Sequence, residues 1–248
     1  MNKVFEWPQH LKKKPFRFCP GCGHSIVHRL IAEAIEKFSI RDNVIGIAPV
    51  GCAVFAYDYF DFDMIEAAHG RPPAIATAMK RVLPDRIVFS YQGDGDLAAI
   101  GTAEIIHAAN RGENITVFFI NNATYGMTGG QMAPTTLINQ KTTTSPQGRE
   151  LSKTGAPMKV CEMIATIESV SLAVRVSTDS IKGVTSTKNM IERAFKYQIE
   201  GKGFAFVEIL SPCPTDWGLA PDEALKWMRN EMASVFKLGV LKDKWKTG

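Results

Sequence analysis

The sequence predicts an α/β fold: a doubly wound, mainly parallel sheet with helices on both faces. Three observations carry this prediction. Short apolar runs bounded by polar turns recur along the chain, amphipathic stretches of helical length separate them, and the residues with chemistry sit where the runs end. Arg86–Tyr91 and Ile115–Ile120 read as buried strands with the helix Leu97–Asn110 between them, which makes one β-α-β unit. Strand Val44–Ala48 and helix Pro73–Leu83 precede that unit, and an amphipathic helix from Ser25 to Phe38 comes before them. Helix Lys159–Glu168, strand Ser171–Val176, helix Lys188–Glu200 and strand Phe204–Leu210 continue the alternation. No repeat, Gly/Ser-rich linker or shift in composition divides the 248 residues. Residues 1–248 therefore read as one domain with an N-terminal Cys-x-x-Cys segment and a C-terminal helical tail.

Composition excludes several classes. Lys and Arg number 29 against 25 Asp and Glu, a net charge of +4. The basic residues are scattered without interleaved aromatics, so no nucleic-acid platform is expected. Lys12-Lys13-Lys14 and the C-terminal Lys237, Lys242, Lys244 and Lys246 form positive tips. Solvated terminal charge accounts for them more simply than attraction of an acidic partner does. The first residues are polar and Lys-rich, and no apolar stretch is long enough to span a membrane. A cytoplasmic protein is expected.

Gly93-Asp94-Gly95-Asp96 breaks the chain after one strand, and Asn121-Asn122 ends the next. Open α/β sheets bind ligands at such carboxyl ends. Gly93–Ala98 also fits the G-x-G-x-x-A dinucleotide pattern. That pattern calls for an acid, not asparagine, at the second strand end, and Asp94 and Asp96 would repel a pyrophosphate set directly on the helix start. Asp94 and Asn122 are hard oxygen ligands of the kind that share Mg²⁺ with phosphate oxygens. The pair therefore reads as a diphosphate site bridged by a metal. Asp96 reads as a supporting group at the helix start, where an acid is also an ordinary cap.

There are five cysteines, and a cytoplasmic setting makes disulfides unexpected. Cys19 and Cys22 share the turn Cys19-Pro20-Gly21-Cys22-Gly23-His24, Cys52 follows Pro49-Val50-Gly51, and Cys213 lies between Pro212 and Pro214. Cys161 falls in an amphipathic stretch and reads as a buried thiol. Four turn cysteines suit a structural Zn²⁺ or a 4Fe–4S cluster, with a redox dithiol as a third reading, and spacing does not choose.

Gly-Asp-Gly followed about one β-α-β unit later by Asn-Asn resembles the thiamine-diphosphate enzymes. The resemblance implies their thiamine-diphosphate-binding fold, with Mg²⁺ ligated by Asp94, Asn122 and the Thr124 carbonyl. It places the cofactor against Gly93, Asp94, Gly95, Asp96, Asn122, Thr124, Tyr125 and Gly126. Together with the cysteines, the chain resembles the β subunit of 2-oxoacid:ferredoxin oxidoreductases. The likeness runs through Cys19–His24, Val50-Gly51-Cys52, His69–Ala74, Gly93–Asp96, Asn121–Gln131 and Ser211-Pro212-Cys213.

That resemblance implies that Cys19, Cys22, Cys52 and Cys213 hold one 4Fe–4S cluster beside the cofactor. There it accepts, one at a time, the electrons left when a 2-oxo acid is decarboxylated. His24, His69 and Arg71 are the implied catalytic neighbours, where a cation helps hold the diphosphate or the substrate carboxylate. The plainer readings are a helix-capping His24 and an ordinary polar turn at His69-Gly70-Arg71. The implied reaction converts a 2-oxo acid and coenzyme A to acyl-CoA and CO₂ and reduces ferredoxin. An alpha subunit with the pyrimidine domain would supply the activating glutamate, and gamma or delta subunits any further clusters. A non-redox thiamine-diphosphate decarboxylase subunit with Zn²⁺ or free thiols is the alternative.

Ala123–Pro157 breaks the rhythm of the fold with a run rich in Thr, Gly, Pro and Gln. Loops of that length are usually functional, and this one is expected to wrap the cofactor and dock against a partner. Family members that take 2-oxoglutarate often carry a lysine where this chain has Phe55 and Gly129. A second carboxylate without a cation is costly to desolvate. The favoured substrate is therefore branched-chain, 2-oxoisovalerate, with 2-oxoglutarate as the alternative.

Overall fold

A computed structural model describes residues 6–245. Helix α1 (His24–Lys37) leads to strand β1 (Val44–Ala48), a short helix α2 (Ala56–Tyr59), strand β2 (Asp63–Glu66) and helix α3 (Pro72–Val82). Strand β3 (Ile87–Gly93), helix α4 (Thr102–Asn110) and strand β4 (Thr116–Asn121) follow. After a long loop come α5 (Leu151–Thr154), α6 (Val160–Thr166), β5 (Val170–Ser177), α7 (Ile181–Ile199) and β6 (Phe204–Leu210). The chain closes with α8 (Pro214–Trp217), α9 (Pro221–Trp227), α10 (Ala233–Val235) and β7 (Gly239–Asp243).

The seven strands form one sheet in the order β2-β1-β3-β4-β6-β5-β7, parallel except for β7, which runs antiparallel at the edge. Successive residues of a strand face opposite sides, and both sides are buried, so the central strands are apolar throughout. Phe118 packs with Phe89, Phe195, Ile31 and Ile191 in the layer under α1 and α7. Val117 and Phe119 pack with Ala76, Ile105 and Ile164 in the layer under α3, α4 and α6. The doubly wound sheet expected from the alternation is thus formed. No helix among the described residues is long and apolar enough to cross a membrane.

The differences from the sequence reading have local causes. Helix α7 begins at Ile181 rather than Lys188, because Ser180 caps it by accepting the Gly183 N–H at 3.1 Å. Gly183, Thr185, Ser186 and Thr187 hide those turns by their weak helix propensity. The continuous helix expected from Leu97 starts earlier, as a π-wound turn over Asp94–Ile100, and restarts after Gly101 as α4. Strand β2 was not anticipated, since Asp63-Met64-Ile65-Glu66 is short and carries an acid at each end. The C-terminal tail is helical only in part: β7 ends it, pairing its backbone with β5 despite Gly239 and Lys242. Among the basic tips, Lys14 pairs with Asp58 and Lys242 donates to the Ile167 carbonyl. Lys246 lies outside the described residues.

One charge network is sealed inside this fold. Arg175 on β5 is fully buried and pairs with the equally buried Glu208 of β6 at 2.9 Å. It also pairs with Glu162 of α6 and lies over the Phe236 ring. Glu208 Oε1 accepts from the Asn121 amide at 2.7 Å, which ties the network to the end of β4. Removing one partner of a buried pair leaves an uncompensated charge. Arg175→Met should therefore destabilise the protein by about 3–5 kcal/mol, measured by urea denaturation. Loss of less than 1 kcal/mol would mean that the pair behaves as a surface pair.

Candidate functional site

The carboxyl ends of β1, β3 and β4 open into a cavity of about 370 Å³. His24, Cys52, His69, Gly93, Asp94, Gly95, Asp96, Asn122, Thr124, Tyr125 and Gly126 line it, with Val50, Ile100 and Met127 among the apolar lining. Sequence reasoning had placed the first eleven of these at a cofactor. Cys19, Cys22, Cys213 and Arg71 are not in the lining.

Asp94, at the start of the π-wound turn, is 3% exposed. Its Oδ1 accepts from the Thr135 hydroxyl at 2.9 Å, and its Oδ2 accepts from the backbone N–H groups of Asn122 (3.1 Å) and Thr124 (3.3 Å). The Asn122 amide nitrogen donates to Asp94 Oδ2 at 2.5 Å and to the Thr124 carbonyl at 2.8 Å. A half-turn of that amide presents its oxygen instead, and three hard oxygens then meet at one point with no donor between them. A cation can take the place of the amide N–H in relieving such a convergence, and an Asp, an Asn and a carbonyl form a ligand set that Mg²⁺ takes alongside phosphate oxygens. Gly93 suits the same ligand: a Cβ there would stand in open space, so nothing obstructs an approach to the backbone. Thr135 had no signal in the sequence beyond its place in the long polar loop.

Asp96 is 1% exposed and is not a simple helix cap. Its Oδ1 accepts from the backbone N–H groups of Val50 (3.2 Å) and Gly70 (2.9 Å) and from His69 Nδ1 (2.8 Å), and its Oδ2 accepts from the Gln92 amide (2.7 Å). Gly70 is required at its place, with φ +78° and a virtual Cβ 2.7–2.8 Å from Ile100 and Gly101. His69 is thereby fixed through Nδ1 and keeps Nε2 as its unengaged nitrogen.

Two of the expected cations are not free cations. Arg71 pairs with Glu104 of α4 outside the cavity lining. His24 opens α1 and is buried, and burial followed by the proximity of His28 holds its imidazole down to about 3, so the ring is neutral. Its Nδ1 meets the Tyr91 hydroxyl at 2.6 Å, and the ring stacks on Phe18 at 4.9 Å. It caps no helix end with its side chain.

The four turn cysteines gather beside the cavity. Gly21 lies against Pro214 and Pro221, which presses the Cys19–Cys22 turn onto the turn bearing Cys213. A Cβ at Gly126 would lie 3.4 Å from both Cys52 Sγ and Asp216 Oδ2. All four thiols are free. Burial first, then the neighbouring cysteines and Asp216, push Cys22 up to about 12. The same causes, burial first, push Cys52 up to about 11, and Cys213 is also raised. Such thiols become thiolates only beside compensating positive charge. Among the described residues no three His, Cys, Asp or Glu side chains come close enough to grip a single ion. Cys161 is buried in the sheet's second layer, as the sequence suggested.

The long loop is ordered by a residue the sequence did not single out. Arg149 is buried and donates to the carbonyls of Ala133, Pro134, Thr136, Thr154, Gly155 and Ala156. Phe55 packs against Phe18 rather than in the cavity lining, and Gly129 also lies outside it. No lysine or arginine lines the cavity among the described residues.

Burial raises Asp94 from 3.8 to about 7, with Glu208 adding to it and the bonds from Thr135, Asn122 and Thr124 opposing it. A carboxyl raised in the folded state binds its proton more tightly there than when unfolded. Its stabilising contribution is therefore present at low pH and is lost as pH climbs through about 7. Calorimetry of cation-free protein should show this loss between those two values, and Asp94→Asn should flatten the profile. An unchanged profile in that variant would assign the titration elsewhere.

Residues 49–209 match the family described as thiamine pyrophosphate enzyme, C-terminal TPP binding domain. The ketoisovalerate oxidoreductase subunit VorA of Methanothermobacter thermautotrophicus is 45% identical over 244 residues, which cover 98% of this chain and 51% of the relative. The chain thus spans about half the length of that curated relative. The 2-oxoglutarate synthase subunit KorB of Methanocaldococcus jannaschii is 39% identical over 205 residues, covering 82% of this chain and 72% of that one. Among solved structures, a 2-oxoglutarate:ferredoxin oxidoreductase from Magnetococcus marinus, with 2-oxoglutarate, coenzyme A and succinyl-CoA bound, superposes with a TM-score of 0.77. The superposition covers 99% of this chain and 87% of that one at 24% identity, a shared fold.

Proposed function

The chain belongs to the thiamine pyrophosphate enzymes, as one of the subunits of the 2-oxoacid:ferredoxin oxidoreductases, and from that premise we propose that it binds thiamine diphosphate through Mg²⁺, carries one 4Fe–4S cluster, and serves the oxidation of a branched-chain 2-oxo acid. The observation that carries the reading is the convergence of Asp94, Asn122 and the Thr124 carbonyl in the wall of a cavity that Cys52 also lines. Cys19, Cys22, Cys52 and Cys213 are the proposed cluster ligands. Cys22 lies close enough to feel the charge of Cys19 and Cys52, and Cys213 that of Cys22, a grouping that suits one multi-iron cluster.

The proposed reaction takes a 2-oxo acid anion and coenzyme A to acyl-CoA, CO₂, a proton and two electrons, the electrons going singly to ferredoxin. When bound, thiamine diphosphate supplies the carbon nucleophile for decarboxylation and the cluster a one-electron acceptor. This chain's residues supply binding and position. Asp94, Asn122 and Thr124 hold the metal that neutralises the diphosphate, and Gly93 leaves the phosphates room. His69, braced by Asp96, presents Nε2 for a proton at the cavity mouth. His24, neutral and braced by Tyr91, offers a hydrogen bond without a charge. Val50, Ile100 and Met127 give the reacting acid an apolar surface. The activating glutamate is assigned to an alpha, pyrimidine-domain partner.

The substrate assignment rests on the lack of lysine and arginine in the described lining and on the higher identity to the ketoisovalerate relative. Anaerobic protein, reconstituted with its partner chain, should reduce a viologen dye with 2-oxoisovalerate and coenzyme A faster than with 2-oxoglutarate. The reverse order would reassign the acid. Asp94→Ala should abolish Mg²⁺-dependent thiamine diphosphate binding by calorimetry. Cys52→Ser should keep that binding within about threefold while removing dye reduction; retained activity would sink the cluster assignment.

A further inference from the structure

Asp216 is a charged group in contact with Cys213, and nothing in the proposed chemistry uses it. It sits in α8, three residues after Cys213, whose Sγ donates to its Oδ2 at 3.1 Å. The same carboxylate faces the Gly126–Gly130 turn. A Cβ at Gly126 would come within 3.4 Å of Asp216 Oδ2 and of Cys52 Sγ, and one at Gly130 within 3.3 Å of Asp216 Oδ1. Two glycines therefore keep the space between this acid, Cys52 and the cavity wall clear of side chains. Asp216 is half-buried, and no lysine, arginine or histidine forms an ion pair with it among the described residues. The next residue fixes its place, since the Trp217 indole donates to the Asn122 carbonyl at 3.0 Å.

We infer that Asp216 is a positioning residue for electron transfer: its carboxylate sets the reduction potential of the iron–sulfur centre held by Cys19, Cys22, Cys52 and Cys213 and holds it low. The inference rests on the cluster reading above. When Cys213 releases its thiol proton to solvent and ligates iron, the hydrogen bond to Asp216 is lost and the ionised carboxylate remains beside the sulfur. The cluster's redox step takes in one electron, supplied in the reaction by the decarboxylated substrate as it is oxidised and in a titration by dithionite. An adjacent anion makes that added negative charge less favourable, so the oxidised form gains and the potential falls. Iron–sulfur potentials are set by net charge and by hydrogen bonds to the sulfurs. A lower potential makes the centre a stronger donor to the next carrier.

The test is an anaerobic redox titration followed by EPR on the full chain reconstituted with iron and sulfide, with metal content measured on every sample. Asp216→Asn should keep close to four irons and raise the midpoint potential by at least a tenfold shift in the reduction equilibrium, 59 mV for one electron. Asp216→Ser removes the charge with a smaller side chain and should shift it the same way. Asp216→Glu, which restores the charge, should return most of the way to the parent value. Neutral variants with full iron and an unmoved midpoint would overturn the inference and leave the cluster intact. Parent protein that binds no iron and sulfide would overturn the cluster reading itself, and the inference with it.

Discussion

The carboxylate of Asp96 gathers donors from the ends of three consecutive strand-to-helix passages. Val50 N–H comes from the turn after β1, His69 and Gly70 N–H from the turn before α3, and the Gln92 amide from the end of β3. Each is a charge-assisted hydrogen bond to a buried carboxylate, an acceptor costly to leave unpaired. Remove that acceptor and three turns lose their common anchor at once. Cys52 follows the first turn and Asp94 lies two residues before the acid, so the cysteine group and the oxygen group are both located from it. A residue whose type suggests a helix cap is instead the point to which the cavity's walls are tied.

Around that anchor the fold distributes buried charge unevenly. Arg175 and Glu208 neutralise each other in the sheet, and Arg149 spends its guanidinium on six carbonyls of the long loop. Asp94 receives only hydrogen bonds, from Thr135 and the backbone of Asn122 and Thr124. A buried acid without a cation is raised toward neutrality, and the same geometry is what favours a divalent ion. Glu208 also reaches this site indirectly, by holding Asn121, whose Oδ1 accepts the Ala123 N–H at 3.1 Å. Ala123 takes a φ of +57°, and the chain turns there so that Asn122 and Thr124 face Asp94.

The cysteine group and the oxygen group share Gly126. On one side the turn that begins there lines the cavity, and on the other it lies against Cys52 and Asp216. The two groups are thus separated by little more than one stretch of backbone.

Much of this was legible in the order of residues. Apolar runs of strand length, split by helical stretches, determine a doubly wound parallel sheet because its strands are buried on both faces. Gly-Asp-Gly, Asn-Asn, Cys52 and Cys213 fall at strand ends, so their meeting follows from topology, whereas the Cys19–Cys22 turn before α1 joins them only through the folded chain. What the order could not show is where a side chain spends its charge. Arg71 was expected beside the cofactor, yet it is drawn to Glu104, and His24 was expected as a cation, yet burial makes it neutral. Thr135 lies 41 residues from the Asp94 carboxylate it donates to, and Arg149 and Asp216 sit in segments with no periodic pattern to mark them. Periodicity records which faces are dry, a local property repeated along the chain. Pairing and protonation depend on neighbours brought together only by the folded chain, and those the tertiary structure alone decided.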